Sequence, residues 1–589
     1  APEGTPCPSR WAWRAGVFLP TLLATGLIIA LFTDFFAIGG LSPFETVLIS
    51  MIAFTFFWIA MSLFMAVSGS VRVLLTRRRE GVAAPIDVAL VIPIHNEVPN
   101  VVFGNALAML EDLAEHSARH RYALFILSDT RDEDVVAGET LAFSNLQIMA
   151  PPTIPVSYRR FPENAEKKIG NLGEWIRRWG GAYEGMVVLD ADSLMSADAI
   201  ERLADALSED PAAGLVQSTP AIIGSKTVFG RIQQFATAAY GPLLSAGLAA
   251  WTGREGNYWG HNAIVRTRAF AACAGLPRIG RGQRLVMSHD FVEAALLRRA
   301  GWSVRMLHAE PGSYEEAPAS LIDYVGRDAR WCRGNLQHLR LLTVRGLHPV
   351  SRFHLLQGAM SYLVSPVWLA LLLVWASIGV GEDRSLIVYF SGSDPRPHWP
   401  ELTETRQVVL LLMMYGMLLA PKLLGTIRAL SSAERARRFG GRGRFALSVV
   451  TEIVLSVFYA PILMVQQTKA VIASLIGVEF AWRSYRALGD HMPRVSGLFR
   501  FHAAETIIGT ALTAGIVLGF VTPWLLPIGL SLAFSVPLSL LSTVRLDSCP
   551  WLMASPEDVD PAPVQLAALA RHRDFAERVS RQPLTLAAE

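Results

Sequence analysis

Residues 187–192 read Val-Val-Leu-Asp-Ala-Asp, an apolar run ending in two carboxylates one residue apart. A β-strand that ends in Asp190-x-Asp192 can hold a divalent cation at the mouth of a nucleotide pocket. Hard cations such as Mg2+ or Mn2+ take oxygen ligands and bridge a diphosphate through one or two carboxylates. Neutralising such a leaving group lowers the barrier to its departure. A turn in which Asp192 caps a helix would look similar, and the purely apolar strand in front favours the metal.

Other stretches place reactive side chains at similar junctions. Val88–Pro93 is a buried strand that breaks into Ile94-His95-Asn96-Glu97, where Glu97 can bond a base or ribose. Leu124–Ser128 repeats the design and ends in Asp129, able to accept from an imide N–H; a solvated or helix-capping aspartate is the plain alternative. In Lys167-Lys168-x-Gly170-Asn171, two cations flank a glycine where backbone could approach a diphosphate, although a solvated basic turn reads equally well. Met287-Ser288-His289-Asp290 opens an amphipathic helix over 291–300. At that N-terminus the dipole keeps Asp290 ionised, as a general base for an acceptor hydroxyl requires, and as an ordinary cap would also be. Finally, Arg327-Asp328-Ala329-Arg330-Trp331-Cys332-Arg333-Gly334 puts arginines and an indole on one helical face, suited to a diphosphate and a sugar ring or to anchoring at a membrane surface.

The elements that must position these residues fall into two kinds. Hydrophobic content is 52%, charged content only 17% and mean hydropathy +0.34, against about 25% charged in soluble domains. A net charge of +3 over 589 residues excludes a general nucleic-acid binder. Runs 15–33 and 45–67 each approach the roughly 20 residues of a bilayer crossing. The first is expected to stay as an anchor, and Arg77-Arg78-Arg79 after the second marks the cytosolic side. From 86 to 345, short apolar runs (88–94, 122–127, 186–189, 214–217) alternate with amphipathic stretches, the pattern of an α/β domain with a mostly parallel sheet and its site at the carboxyl strand ends. Apolar spans return at 356–380, 406–427, 444–462, 503–521 and 523–544. Two basic islands, 428–444 and 483–500, bracket 445–481, which must cross twice, cross once with one island displaced, or fold back as a re-entrant hairpin; 466–480 reads equally as an interfacial helix. Counted by charge, the chain makes about eight crossings, or seven. Its organisation is then two helices over 1–80, the α/β domain over 86–345, further membrane helices over 350–545 and a cytosolic tail over 546–589. The scattered Cys7, Cys273, Cys332 and Cys549 read as reduced thiols.

These residues resemble membrane-integrated family-2 glycosyltransferases, the class of cellulose and hyaluronan synthases. Asp129, Asp190/Asp192, Asp290 and Arg330-Trp331 look like that class's uridine aspartate, Asp-x-Asp metal motif, catalytic base and Gln-x-x-Arg-Trp helix. The chain departs in having Ser-His-Asp for Thr-Glu-Asp and Arg327 for the glutamine. Longer strings are similar to the glucans biosynthesis glucosyltransferase H family: Leu127–Asp129, 186–193, Gln233–Thr237, Tyr258–Ile264, Ser288–Ala295 and Arg330–Cys332, within roughly 85–500.

The resemblance implies a GT-A-type, Rossmann-like cytosolic domain inserted in a polytopic α-helical protein of the bacterial inner membrane. It implies an inverting, metal-dependent transferase that uses UDP-glucose to lengthen a β-1,2-linked glucan and deliver it to the periplasm, with membrane lipid around it and acyl carrier protein as a partner. Asp190 and Asp192 would hold the cation, Glu97 and Asp129 the uridine, Lys168 and Arg330 the diphosphate. Asp290 would deprotonate the acceptor, and Trp331, Arg327, Trp259, His261 and Asn262 would line its side. Two other readings remain open, a transferase loading one sugar onto a lipid carrier and a transporter with a regulatory nucleotide-binding domain.

Overall fold

The computed structural model describes residues 10–36, 41–75, 83–117, 119–164, 166–273, 275–279, 284–307, 311–378, 404–478, 495–521 and 523–581. The expected basic stop at 77–79, and most of the 483–500 island, lie outside these residues.

Apolar, β-branched runs build a seven-stranded sheet: β1 (Asp87–Ile94), β2 (Arg121–Ser128), β3 (Val156–Arg160), β4 (Gly185–Val188), β5 (Ala213–Gln217), β6 (Ala263–Arg266) and β7 (Ser303–Met306). Its order is β7-β5-β6-β4-β1-β2-β3. Strand β6 lies antiparallel between β4 and β5, whereas β3, β2, β1 and β4 are mutually parallel and β7 is parallel to β5. The sheet is therefore mixed, and only β6 runs against the rest. Both faces are covered, which is why β1, β2 and β4 read as nearly continuous apolar runs rather than alternating ones. Ile94 pairs with Ser128, and Val188 with Val91. That register brings Asp129 and Asp190, the residues that follow, to the same edge of neighbouring strands.

Among the described residues, four helices are long and apolar enough to cross a membrane: Trp11–Asp34, Pro43–Leu75, Pro349–Val374 and Arg442–Leu475. A fifth is reached if Pro523–Ala533 and Ser535–Thr543, bent by 58°, count as one span. Among the described residues, the expected count of about eight crossings, or seven, is not confirmed. Residues Arg442–Leu475 form one unbroken helix of 34 residues, so no reversal occurs within it. The polar residues that suggested an interface there serve helix contacts instead. Gln467 accepts from Ser365 Oγ at 2.5 Å and donates to Asp328 at 3.0 Å, and Lys469 donates to the Phe501 carbonyl at 3.0 Å. Helix Ala503–Val517, with 15 residues, is too short to span alone.

Two elements join the α/β unit to the membrane helices. Helix Val228–Thr252 is buried around most of its circumference. Phe235 meets Phe439 and Phe445, and the neighbouring amide of Gln234 reaches Asp558 and Ser555 at 2.7 and 2.9 Å. After the bent pair, the chain runs back along this helix and ends in helix Pro563–Arg581, which lies on helix Pro99–His116 of the α/β unit. There Phe575 is fully buried against Phe103, His572 bonds Asn105 at 2.8 Å and Arg571 pairs with Glu111 at 2.9 Å.

Truncating a buried phenylalanine to alanine removes about 3–5 kcal/mol of packing. F575A is therefore expected to release the terminal helix, seen as rapid proteolytic loss of the segment after 560 while the membrane helices stay protected. Unchanged protease resistance would contradict this account.

Candidate active site

The carboxyl edge of β1, β2 and β4 carries the first group of side chains. Asp129 directly follows β2 and is 6% exposed. Its carboxylate accepts from Asn164 Nδ2 at 2.9 Å and lies 2.9 Å from His95 Nδ1. That hydrogen bond raises the His95 ring above the ordinary histidine range, against the opposing effect of burial. Asn164 also donates to the Lys167 carbonyl at 2.5 Å, linking Asp129 to the start of helix Lys167–Arg178. Gly170 serves this link and does not leave backbone open to a ligand: a Cβ there would lie 1.9 Å from Asn164 Oδ1. Glu97, half-buried, stands in the loop after β1.

Asp190 lies two residues past β4. Lys168 Nζ forms an ion pair with it and donates to the Gly260 carbonyl at 2.7 Å. Desolvation in the cleft pushes the Asp190 carboxyl up, but Lys168 and then His261 outweigh it and hold the group below the usual carboxylate range. Asp190 is thus ionised, the form a hard cation binds. Asp192 follows, half-buried, in the turn that leads to Leu194–Met195. The backbone N–H of Asp190 is fixed by Ser193 Oγ at 2.9 Å.

The loop between Thr252 and β6 closes the other side. Gln217, at the end of β5, accepts from Trp259 N at 2.9 Å and donates to the His261 carbonyl at 3.0 Å. His261 lies 3.2 Å from Glu315; burial lowers its pKa, but Asp190 and Glu315 raise it to about 9. The structure places His261 beside Asp190, while Trp259 is half-buried with its backbone N–H held by Gln217. Asn262 is placed differently. It is fully buried with φ 50°, and its amide donates to Ser313 Oγ and the Tyr314 carbonyl, both at 3.0 Å, so its side chain holds backbone behind the cleft.

Asp290 opens helix Asp290–Arg299, as the sequence predicts. His289 Nδ1 lies 3.1 Å from Asp290 Oδ1 and 3.2 Å from Glu293 Oε1. Among the described residues, these three side chains form a group whose ligating atoms all lie within 4.8 Å. The imidazole already stands between the two carboxylates as their cation, so the group reads as an internal ion-pair cluster. Gly260, at φ +94°, is the floor against which Asp290 rests: a Cβ there would lie 2.6 Å from Asp290 Oδ1.

Helix Leu321–Gln337 braces the loop before Asp290. Gln337 accepts from Met287 N at 3.0 Å, the His338 ring meets the Ser288 carbonyl at 2.8 Å, and Gly334 is pressed against Ser288. Trp331 is 51% exposed, with the Arg327 guanidinium 4.6 Å from its ring centroid. Burial, then the nearby Arg327, lowers the Arg330 pKa. The opposite face of the helix carries Asp328, which accepts from Tyr362 Oη and Gln467 Nε2, each at 3.0 Å, on two membrane helices. Sequence reading missed Asn164, Gln217, Gly260, Glu293 and Asp328 as positioning groups. Gly260 and Glu293 sit inside strings already notable for their similarity, while Asp328 gives no signal beyond its place on an amphipathic helix.

Comparison with known proteins agrees with this architecture. The chain matches the description "Glycosyl transferase family 2" over residues 89–273 and "Glycosyl transferase family group 2" over 185–420. The fold and these matches define a glycosyltransferase. Proteins called glucans biosynthesis glucosyltransferase H are 38% identical over 579 residues in Shewanella baltica (95% of this chain, 79% of that protein) and 40% over 554 in Bradyrhizobium diazoefficiens (91% and 73%). One from Vibrio cholerae is 38% identical over 588 residues (96% and 80%). The chain belongs to the glucans biosynthesis glucosyltransferase H family.

Any side chain at position 260 must displace the Asp290 carboxylate, and this backbone conformation is strained for non-glycine residues. G260A is expected to lower transferase turnover by about 100-fold, the scale of a misplaced reacting group. Affinity for the donor nucleotide should change little, as equilibrium dialysis would check.

Proposed function

We propose that this chain transfers glucose from UDP-glucose, with inversion, to the end of a growing β-glucan, making the β-1,2-linked backbone of osmoregulated periplasmic glucans at the bacterial inner membrane. The observation that carries the reading is the meeting of Asp190, Lys168 and Asp290 around Gly260 at the carboxyl edge of the sheet. A diphosphate acceptor site and a candidate base thus share one cleft. The names and extent of the relatives support glucan as the product.

In this reading Asp129 and Glu97 contact the uridine, each Asp129 oxygen keeping a second lone pair beyond its present partner. Lys168 and Arg330 bind the diphosphate. Asp190 and Asp192, carboxylate oxygen donors one residue apart, suit Mg2+ or Mn2+, which when bound would neutralise charge on the leaving diphosphate. Asp290 accepts the proton of the acceptor hydroxyl as its oxygen forms the new bond to the anomeric carbon, and UDP leaves with the electrons of the broken bond. Trp331, with Arg327 stacked on it, offers an apolar face to the acceptor sugar, and Trp259 and His261 close the site beside it. The polymer then passes among the helices that follow.

Two measurements test this. D290N is expected to abolish glucan formation with UDP-glucose binding nearly intact, and substantial residual turnover would remove Asp290 as the base. Purified protein in lipid should release UDP and form a polymer whose linkage analysis shows 1,2-bonds. D192A should suppress that synthesis and its sensitivity to EDTA; a single-sugar lipid product would favour a carrier-loading transferase.

A further inference from the structure

Glu293 is the least explained charged group near the cleft. It is 1% exposed, and neither carboxylate oxygen has a hydrogen-bond partner. A carboxylate withdrawn from water persists only where charge compensates it. The compensating charge is the His289 ring, one helical turn before it, whose Nδ1 lies 3.2 Å from Glu293 Oε1 and 3.1 Å from Asp290 Oδ1. One ring nitrogen is therefore shared between a carboxylate facing the cleft and a carboxylate sealed beneath it.

The backbone cannot orient His289 by itself. The ring belongs to the N-cap residue of helix Asp290–Arg299, and its side chain caps nothing. Helix Leu321–Gln337 fixes only the neighbouring backbone, through Met287 and Ser288. We propose that Glu293 is a positioning residue for glycosyl transfer: it holds the His289 ring in place, and through that ring it directs the Asp290 carboxylate at the acceptor hydroxyl. The inference rests on Asp290 being the base.

The charge state follows from the surroundings. Burial works against a charged His289, but Asp290 and Glu293 raise its pKa to about 9. Burial likewise raises the Glu293 carboxyl, opposed by His289. The other titratable groups around the cluster are Lys168, Asp190, Tyr258 and His338. Because the ring's pKa is raised, the bridge is complete below that value and is lost as pH rises through it. Without the Glu293 charge, burial gains weight and the loss occurs at lower pH.

The experiment uses the full-length protein in lipid nanodiscs with radiolabelled UDP-glucose, measuring donor affinity, kcat and its pH profile. E293Q is expected to lower kcat about tenfold or more. Donor affinity should stay within about twofold, and the alkaline limb of the profile should move toward acid by roughly one pH unit or more. H289Q should erase that limb, and E293Q should then add little on the H289Q background. An E293Q profile whose alkaline limb stays at the wild-type position, whatever the activity, overturns the proposal. So does an H289Q enzyme that retains the limb, a result that decides the matter even where E293Q does not fold. If D290N retains turnover, the base assignment and this inference fall together. If D290N is inactive but E293Q titrates like the wild type, only this inference falls.

Discussion

Lys168 ties an acidic strand end to a backbone carbonyl, and the rest of the cleft is arranged around that tie. Its ammonium pairs with Asp190 on one side and with the Gly260 carbonyl on the other. Removing either partner would strand a partly buried charge, which is costly in proportion to its desolvation. The pairing of Val188 with Ala263 already brings the turn after β4 beside the loop before β6, and the contact pins both to the start of helix Lys167–Arg178. Since Asp290 rests on Gly260, the same contact sets where the Asp290 carboxylate can stand relative to the ionised Asp190. A cleft built this way keeps its charges near balance before any substrate arrives.

Much of this arrangement was legible in the sequence because strand ends advertise themselves. Uniform apolar runs at 88–94, 122–127 and 186–189 gave β1, β2 and β4 almost residue for residue, and the acids that follow them fall on one edge because the register is parallel. Strand β6 was harder to find. Ala263–Arg266 is only four residues long and runs antiparallel, so no alternation or crossover pattern announces it. Among site residues, the functional types stood out, and their supports did not. Gln217, Asn164 and Asp328 act through contacts with residues 42, 35 and 139 positions away, separations that no local pattern encodes. Asn262 shows the opposite error, since a polar residue in a conspicuous motif proved to face the interior.

The membrane portion failed differently. Charge clusters mark sidedness in the sequence and leave three routes through 445–481: two crossings, one crossing with an island displaced, or a re-entrant hairpin. A reversal is absent from Arg442–Leu475 because Gln467 and Lys469 satisfy their polarity against neighbouring helices. Polar side chains inside a helical bundle hydrogen-bond across helices, and sequence alone does not separate that use from exposure at a surface. The same contacts give helix Leu321–Gln337 its two-sided role. Asp328 grips the long apolar helices, while Gly334 and Gln337 grip the loop that carries Asp290, so Asp290 is referenced to those helices as well as to the sheet.

Helix Pro563–Arg581 has a bearing on biogenesis. The face of helix Pro99–His116 that it covers includes Phe103, and the covering segment is made long after that face, His572 lying 467 positions beyond its partner Asn105. Until then, an otherwise assembled α/β unit presents an apolar groove to solvent, the kind of surface that chaperones bind and proteases follow. Burial of Phe575 therefore reports that synthesis has passed this helix, since a polypeptide terminated before it would carry an intact cleft yet remain marked for removal.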